Sequence, residues 1–159
     1  MQKYFSFVAV TFGLLLLGQT ALAQNPLKWT FSVKNLGNCQ AELIFTGTLD
    51  EGWSTYSQYL ENEDGPVATS ITWPESSAFK PIGKAEESGE ILTAYDRVFD
   101  MTLTKFKHKA IITQRIEILD PSQPISGIVN AMTCNDDMCL PPRDTPFTFD
   151  ISGITDCKH

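Results

Sequence analysis

The sequence predicts an all-β protein, an immunoglobulin-like β-sandwich of about eight strands. Two observations predict it. Short segments alternate apolar and polar residues with period two, and turn-forming residues separate them at short intervals. No long segment carries helical periodicity. In chain order, residues 29–33 form the first candidate strand. Ala41, Leu43, Phe45 and Gly47 then alternate with Gln40, Glu42 and Thr46. Residues 53–60, 69–73 and 97–103 are further candidates, rich in β-branched and aromatic side chains. Ala110, Ile112, Ile116 and Ile118 oppose Thr113, Arg115 and Glu117. Residues 125–132 follow, and Phe147, Phe149 and Ile151 oppose Thr148, Asp150 and Ser152. Turns fall at Asn35-Leu36-Gly37-Asn38, Asp50-Glu51-Gly52, Asp64-Gly65-Pro66 and Asp120-Pro121-Ser122-Gln123-Pro124. Residues 83–90 read as a polar loop. The strands near Met132 and Pro146 are expected to be neighbours, with residues 134–144 connecting them at one end of the sandwich.

Residues 1–23 read as a secretory signal. Lys3 supplies the positive start, residues 4–17 are almost continuously apolar, and Ala21-Leu22-Ala23 is a small-x-small cleavage site. The run is short for a membrane span, and no cysteine follows the cleavage site to take a lipid. Residues 24–159 are then expected to form one exported domain without stable membrane insertion, in a compartment where disulfides persist. All four cysteines lie in this part. Loss of Lys3 changes the net charge from −7 to −8, because no acidic residue is removed with it. An acidic surface argues against nucleic acid and anionic lipid as partners.

The segment Met132-Thr133-Cys134-Asn135-Asp136-Asp137-Met138-Cys139-Leu140-Pro141-Pro142 carries the chemistry. A bridge between Cys134 and Cys139 closes a very short loop. It removes little entropy from the unfolded chain and suits opening and closing better than stapling. Asp136 and Asp137 inside the loop disfavour a thiolate, and the nearest cation in sequence is Arg143. An inert bridge pinning a loop is the competing reading. Met132, Cys134, Met138 and Cys139 also form a soft sulfur set of the kind that suits Cu(I). Cys39 and Cys157 could form a long-range staple, or Cys157 could be a free thiol on a loose tail; sequence does not choose among the three pairings. His108 and His159 read as solvated surface residues, and Trp29, Trp53 and Trp73 as core or sheet-edge aromatics. Glu86 and Glu87 read as loop surface. No metal centre or prosthetic group is indicated, since the thiols themselves would carry electrons.

From about Trp29 to Ile151 the chain resembles the amino-terminal periplasmic domain of DsbD, a transmembrane thiol:disulfide reductase. Three segments carry the resemblance. Gly52-Trp53-Ser54-Thr55-Tyr56-Ser57 is similar to its Gly-aromatic-x-x-Tyr-Ser segment, and Gly65-Pro66-Val67-Ala68-Thr69 to its Gly-Pro-x-x-Thr segment. Cys134-x-x-x-x-Cys139-Leu140-Pro141-Pro142 is similar to its active-site segment and is the most specific of the three. The resemblance implies an immunoglobulin-like sandwich in which Cys139 is the nucleophile and Cys134 the resolving thiol, with Tyr56 beside them. It implies a periplasmic monomer that takes electrons from a thioredoxin-like donor. The acceptors would be oxidised exported proteins such as a disulfide isomerase. It places the acidic cap over the cysteines near Glu86-Glu87-Ser88-Gly89, where Ile91 or Leu92 would replace the usual aromatic. The second class of function the residues allow is a non-catalytic exported binding module, with Cu(I) on the Met/Cys cluster as a variant of it.

Overall fold

Nine strands and no helix make up the residues described by the computed structural model, 25–61, 64–76 and 78–157. The expected signal at 1–23 and His159 lie outside them. The strands are β1 (Leu27–Gly37), β2 (Gln40–Leu49), β3 (Ser54–Tyr56), β4 (Ser70–Thr72), β5 (Phe79–Pro81), β6 (Glu86–Asp96), β7 (Met101–Ile118), β8 (Ile125–Cys134) and β9 (Cys139–Phe149).

All pairings are antiparallel, and the long strand β7 organises them. β2 and then β3 run along one of its edges, and β5 and then β6 along the other. β3 also pairs with β8, which carries β4 on the same edge and β9 on the opposite one. The sheet curls so that β1 and β2 face β9 across a core of four phenylalanines. Phe45 lies edge-on to Phe147 at 5.0 Å and to Phe149 at 5.2 Å, and Phe31 completes the group. Leu43, Ile112, Ile116, Ile125 and Val129 fill the space around them. The alternating residues of β2, β7, β8 and β9 thus bury one face, as their period-two pattern requires. Trp29 and Trp73 are half-buried against this core, and Trp53 against a smaller cluster around Phe106.

The structure corrects the expected pattern in four places. Residues 53–60 hold only the short strand β3. Residues 97–100 are a turn, and the strand begins at Met101 and continues unbroken to Ile118. Residues 86–90, expected in a loop, belong to β6. β6 is an edge strand with nearly every side chain exposed, so it has no buried face to impose alternation. The connection expected over 134–144 is only residues 135–138, because β9 begins at Cys139. Pro141 and Pro142 fit in that strand because a register shift lets them oppose Met132 without donating to the ladder.

β7 bulges at His108, whose φ is 52°. There its neighbour changes from β2, paired up to Lys109, to β3, paired from Lys107. The imidazole sits between two carboxylates, with Nδ1 2.9 Å from Glu90 and Nε2 3.2 Å from Glu51. The hydrogen bond to Glu90 and that residue's charge raise the His108 pKa above its ordinary 6.5. The stabilisation is complete below that value and is lost as pH rises through the higher folded value. His108→Asn keeps a side chain that tolerates positive φ and removes the charge. The stability difference between wild type and this variant, from urea unfolding in low salt, is expected to shrink as pH rises above about 6.5. A difference that stays constant over that range would show that the charged bridge contributes nothing.

Candidate functional site

Cys134 ends β8, Cys139 begins β9, and the two oppose each other directly in the ladder. They are joined by a disulfide with Cα atoms 4.1 Å apart. Asn135 shapes the turn between them. Its N–H donates to the Met138 carbonyl at 2.9 Å, and its Oδ1 accepts from the N–H groups of Asp137 and Met138 at 2.9 and 2.8 Å. This is how an Asx side chain fixes a short turn. Asp136 and Asp137 sit at the exposed tip, and Met138 is exposed beside them. Cys134 is only 3 % exposed, whereas Cys139 is half-buried. Cys139 is thus the more exposed residue of the pair.

The pair rests in a small apolar cluster with Tyr56 and Leu103, flanked by Phe99, Met101 and Met132. β3 brings Tyr56 here because Ser54 pairs with Lys107 on one side and with Cys134 on the other. The buried hydroxyl of Thr55 donates to the Met132 carbonyl at 2.8 Å, and that of Thr69 to the Tyr56 carbonyl at 2.6 Å. These bonds tie both sequence segments to the site. The tip of the β6–β7 hairpin, residues 97–100, supplies Phe99, whose ring stands edge-on to Tyr56 at 5.9 Å.

Asp96, at the base of that tip, accepts from Lys105 Nζ at 2.9 Å, from Tyr56 Oη at 3.3 Å and from the Val98 N–H at 3.0 Å. Burial pushes its pKa up. The hydrogen bonds from Lys105 and Val98 and the Lys105 charge outweigh this and hold the carboxyl below its ordinary range. Burial, and then the Asp96 charge and hydrogen bond, raise the Tyr56 pKa far above its ordinary 10.0. Tyr56 is therefore a neutral donor at physiological pH. Between this network and the turn lies a cavity of about 350 Å³, lined by Tyr56, Arg97, Lys105, Cys134 and Asp136 among others. The two cations, absent from the local sequence, arrive from β7 and the hairpin tip.

The residues expected at the acidic cap lie on β6. Glu86 is exposed on β6 opposite Thr113. Glu87 accepts from Ser57 Oγ at 2.6 Å and from the Gln58 N–H at 2.7 Å, bracing the loop after β3. Ile91 and Leu92 are exposed on β6. Asp96 and Phe99 are the acidic residue and the aromatic that contact Tyr56. Their spacing was visible in the sequence, but residues 97–103 read there as a strand. If Phe99 shields the disulfide, Phe99→Ala is expected to speed its reduction by dithiothreitol several-fold at unchanged fold. An unchanged rate would remove Phe99 from that role.

Cys39 and Cys157 carry no bond to each other in this structure. Cys157 is not on a loose tail but buried in the main core, with half-buried Cys39 packed against the same cluster.

Fold and site together define an all-β sandwich with a short hairpin disulfide at one end, sheltered by a second hairpin. In three dimensions the chain is similar to the N-terminal domain of DsbD from Neisseria meningitidis in its reduced form. The TM-score is 0.56 and the identity 15 %, over 79 % of this chain and 85 % of that one. It is also similar to the N-terminal periplasmic domain of ScsB from Proteus mirabilis. There the TM-score is 0.61 and the identity 16 %, over 84 % of this chain and 49 % of that one. The fold is therefore that of a DsbD-type N-terminal domain, an immunoglobulin-like sandwich, as the sequence predicts. No protein-family model matches the sequence, and no curated protein matches it by sequence.

Proposed function

We propose that the domain exchanges thiols and disulfides through Cys134 and Cys139 with thioredoxin-fold partners in the periplasm. The observation that carries this reading is the disulfide itself, set across a short hairpin turn with one sulfur buried and the other half-buried. In the reduced domain the Cys139 thiolate attacks one sulfur of a partner's disulfide. The partner's S–S bond breaks, a Cys139–partner bond forms, and the partner's other sulfur leaves as thiolate. Cys134 then attacks the Cys139 sulfur, closing the intramolecular bridge and releasing the second partner thiolate. Two electrons have passed to the partner. A thioredoxin-like dithiol reloads the domain by the reverse sequence. Lys105 and Arg97 beside Cys134 would favour the thiolate that resolves the intermediate.

The deciding experiment is capture of a mixed disulfide through Cys139 in a Cys134→Ala variant. A variant that captures no thioredoxin-fold partner would leave a binding module. Tight uptake of one Cu(I) by the reduced protein would then favour the Met/Cys reading.

A further inference from the structure

The turn joining β1 to β2 is made of Asn38 and Cys39, with φ of 52° and 57°. Positive φ at both central positions fits the tight hairpin turn that normally takes glycine at its second place. Cysteine there is sterically costly, and such outliers persist where the surroundings hold them. Here the surroundings are the chain that follows β9. That segment has no strand or helix, yet Ile151, Ile154 and Cys157 are buried in the main core. Asn35 Nδ2 donates to the Asp156 carboxylate at 3.4 Å, and Cys39 Sγ donates to the Asp156 carbonyl at 3.7 Å. Burial, followed by the hydrogen bond and charge of the neighbouring Cys39 sulfur, pushes the Cys157 thiol up to about 12. The two cysteines, distant in sequence, thus lie in one packed cluster, with Cys39 bonded to the residue before Cys157, at the far end of the β8–β9 hairpin from Cys134 and Cys139.

We infer that Cys39 and Cys157 form a second redox couple, which closes to a disulfide that clamps the chain after β9 onto the β1–β2 turn. Cys39, half-buried, is the entry thiol. Its thiolate attacks an external disulfide, protein or small-molecule, and expels one thiol. With Cys39 held in the mixed disulfide, its charge no longer raises the Cys157 pKa; Cys157 then loses its proton, attacks the Cys39 sulfur from inside and expels the other thiolate, which takes a proton up. Two thiols of the domain are oxidised and one external disulfide is reduced to two thiols. The step is independent of the Cys134–Cys139 chemistry and serves stability, since closing so long a loop constrains the unfolded chain far more than the hairpin bridge does.

The test uses the exported chain equilibrated with oxidised glutathione, then alkylated and mapped by mass spectrometry. The expected result is a linked Cys39–Cys157 peptide beside a linked Cys134–Cys139 peptide, with no thiol left to alkylate. In a Cys134→Ser/Cys139→Ser background, dithiothreitol should lower the melting temperature by more than about 5 °C. Adding Cys39→Ser should abolish that shift. Cys39 and Cys157 remaining fully alkylatable after oxidation, or linked to other cysteines, would overturn the inference. So would a melting temperature that ignores dithiothreitol while the fold is intact.

Discussion

Cys134→Ala is expected to accumulate a mixed disulfide through Cys139, and Cys139→Ala to accumulate little through Cys134. The asymmetry follows from exposure. Exchange needs the attacking sulfur in line with the partner's S–S bond. Cys134 is 3 % exposed and packed with Tyr56 and Leu103, so it offers an incoming partner less surface than Cys139 does. Cys139 is half-buried at the start of β9, at the edge of the same cluster. With a single-cysteine thioredoxin-fold protein activated by a coloured leaving thiol, capture by the Cys134→Ala variant should be roughly tenfold faster or more than by Cys139→Ala. Release of the leaving thiol gives the rate, and a non-reducing gel shows the product. Equal rates would end the assignment of Cys139 as nucleophile.

Phe45→Ala is expected to cost about 3–5 kcal/mol of stability. Phe45 is fully buried on β2 and meets Phe147 and Phe149 of β9 edge to face, so its removal opens the joint between the two faces of the sandwich. A domain stabilised by about 5–15 kcal/mol loses a large share of its margin that way. Urea unfolding should show a lower midpoint at unchanged slope. Phe31→Ala should cost less, because Phe31 is already half-exposed. A Phe45→Ala cost below about 2 kcal/mol would mean the core collapses around the gap.

Legibility in the sequence followed burial. β2, the second half of β7 and the end of β9 bury alternate residues, and each announced itself by alternation. β6 escaped because its pairing is almost wholly backbone to backbone, and β5 because three residues carry no period. The cysteine pair was legible from spacing and the prolines. Its surroundings were not. Asp96, Phe99 and Lys105 stand far from Cys134 in the chain and reach it only because the β6–β7 hairpin folds over a strand paired to both β7 and β8. The local sequence around the cysteines therefore showed acidic residues only, while the folded site also holds two cations.

Under the proposed exchange, the Asn135 turn would govern how long a mixed disulfide survives. Its three hydrogen bonds involve neither sulfur, so they remain when the bridge opens. Both thiols then stay opposed in the ladder. Each presents the other with an effective concentration that no free thiol in solution can match. Ring closure would then be the fast step, and partners would leave soon after they bind. Such a relay would work through brief encounters and would need little affinity for any partner.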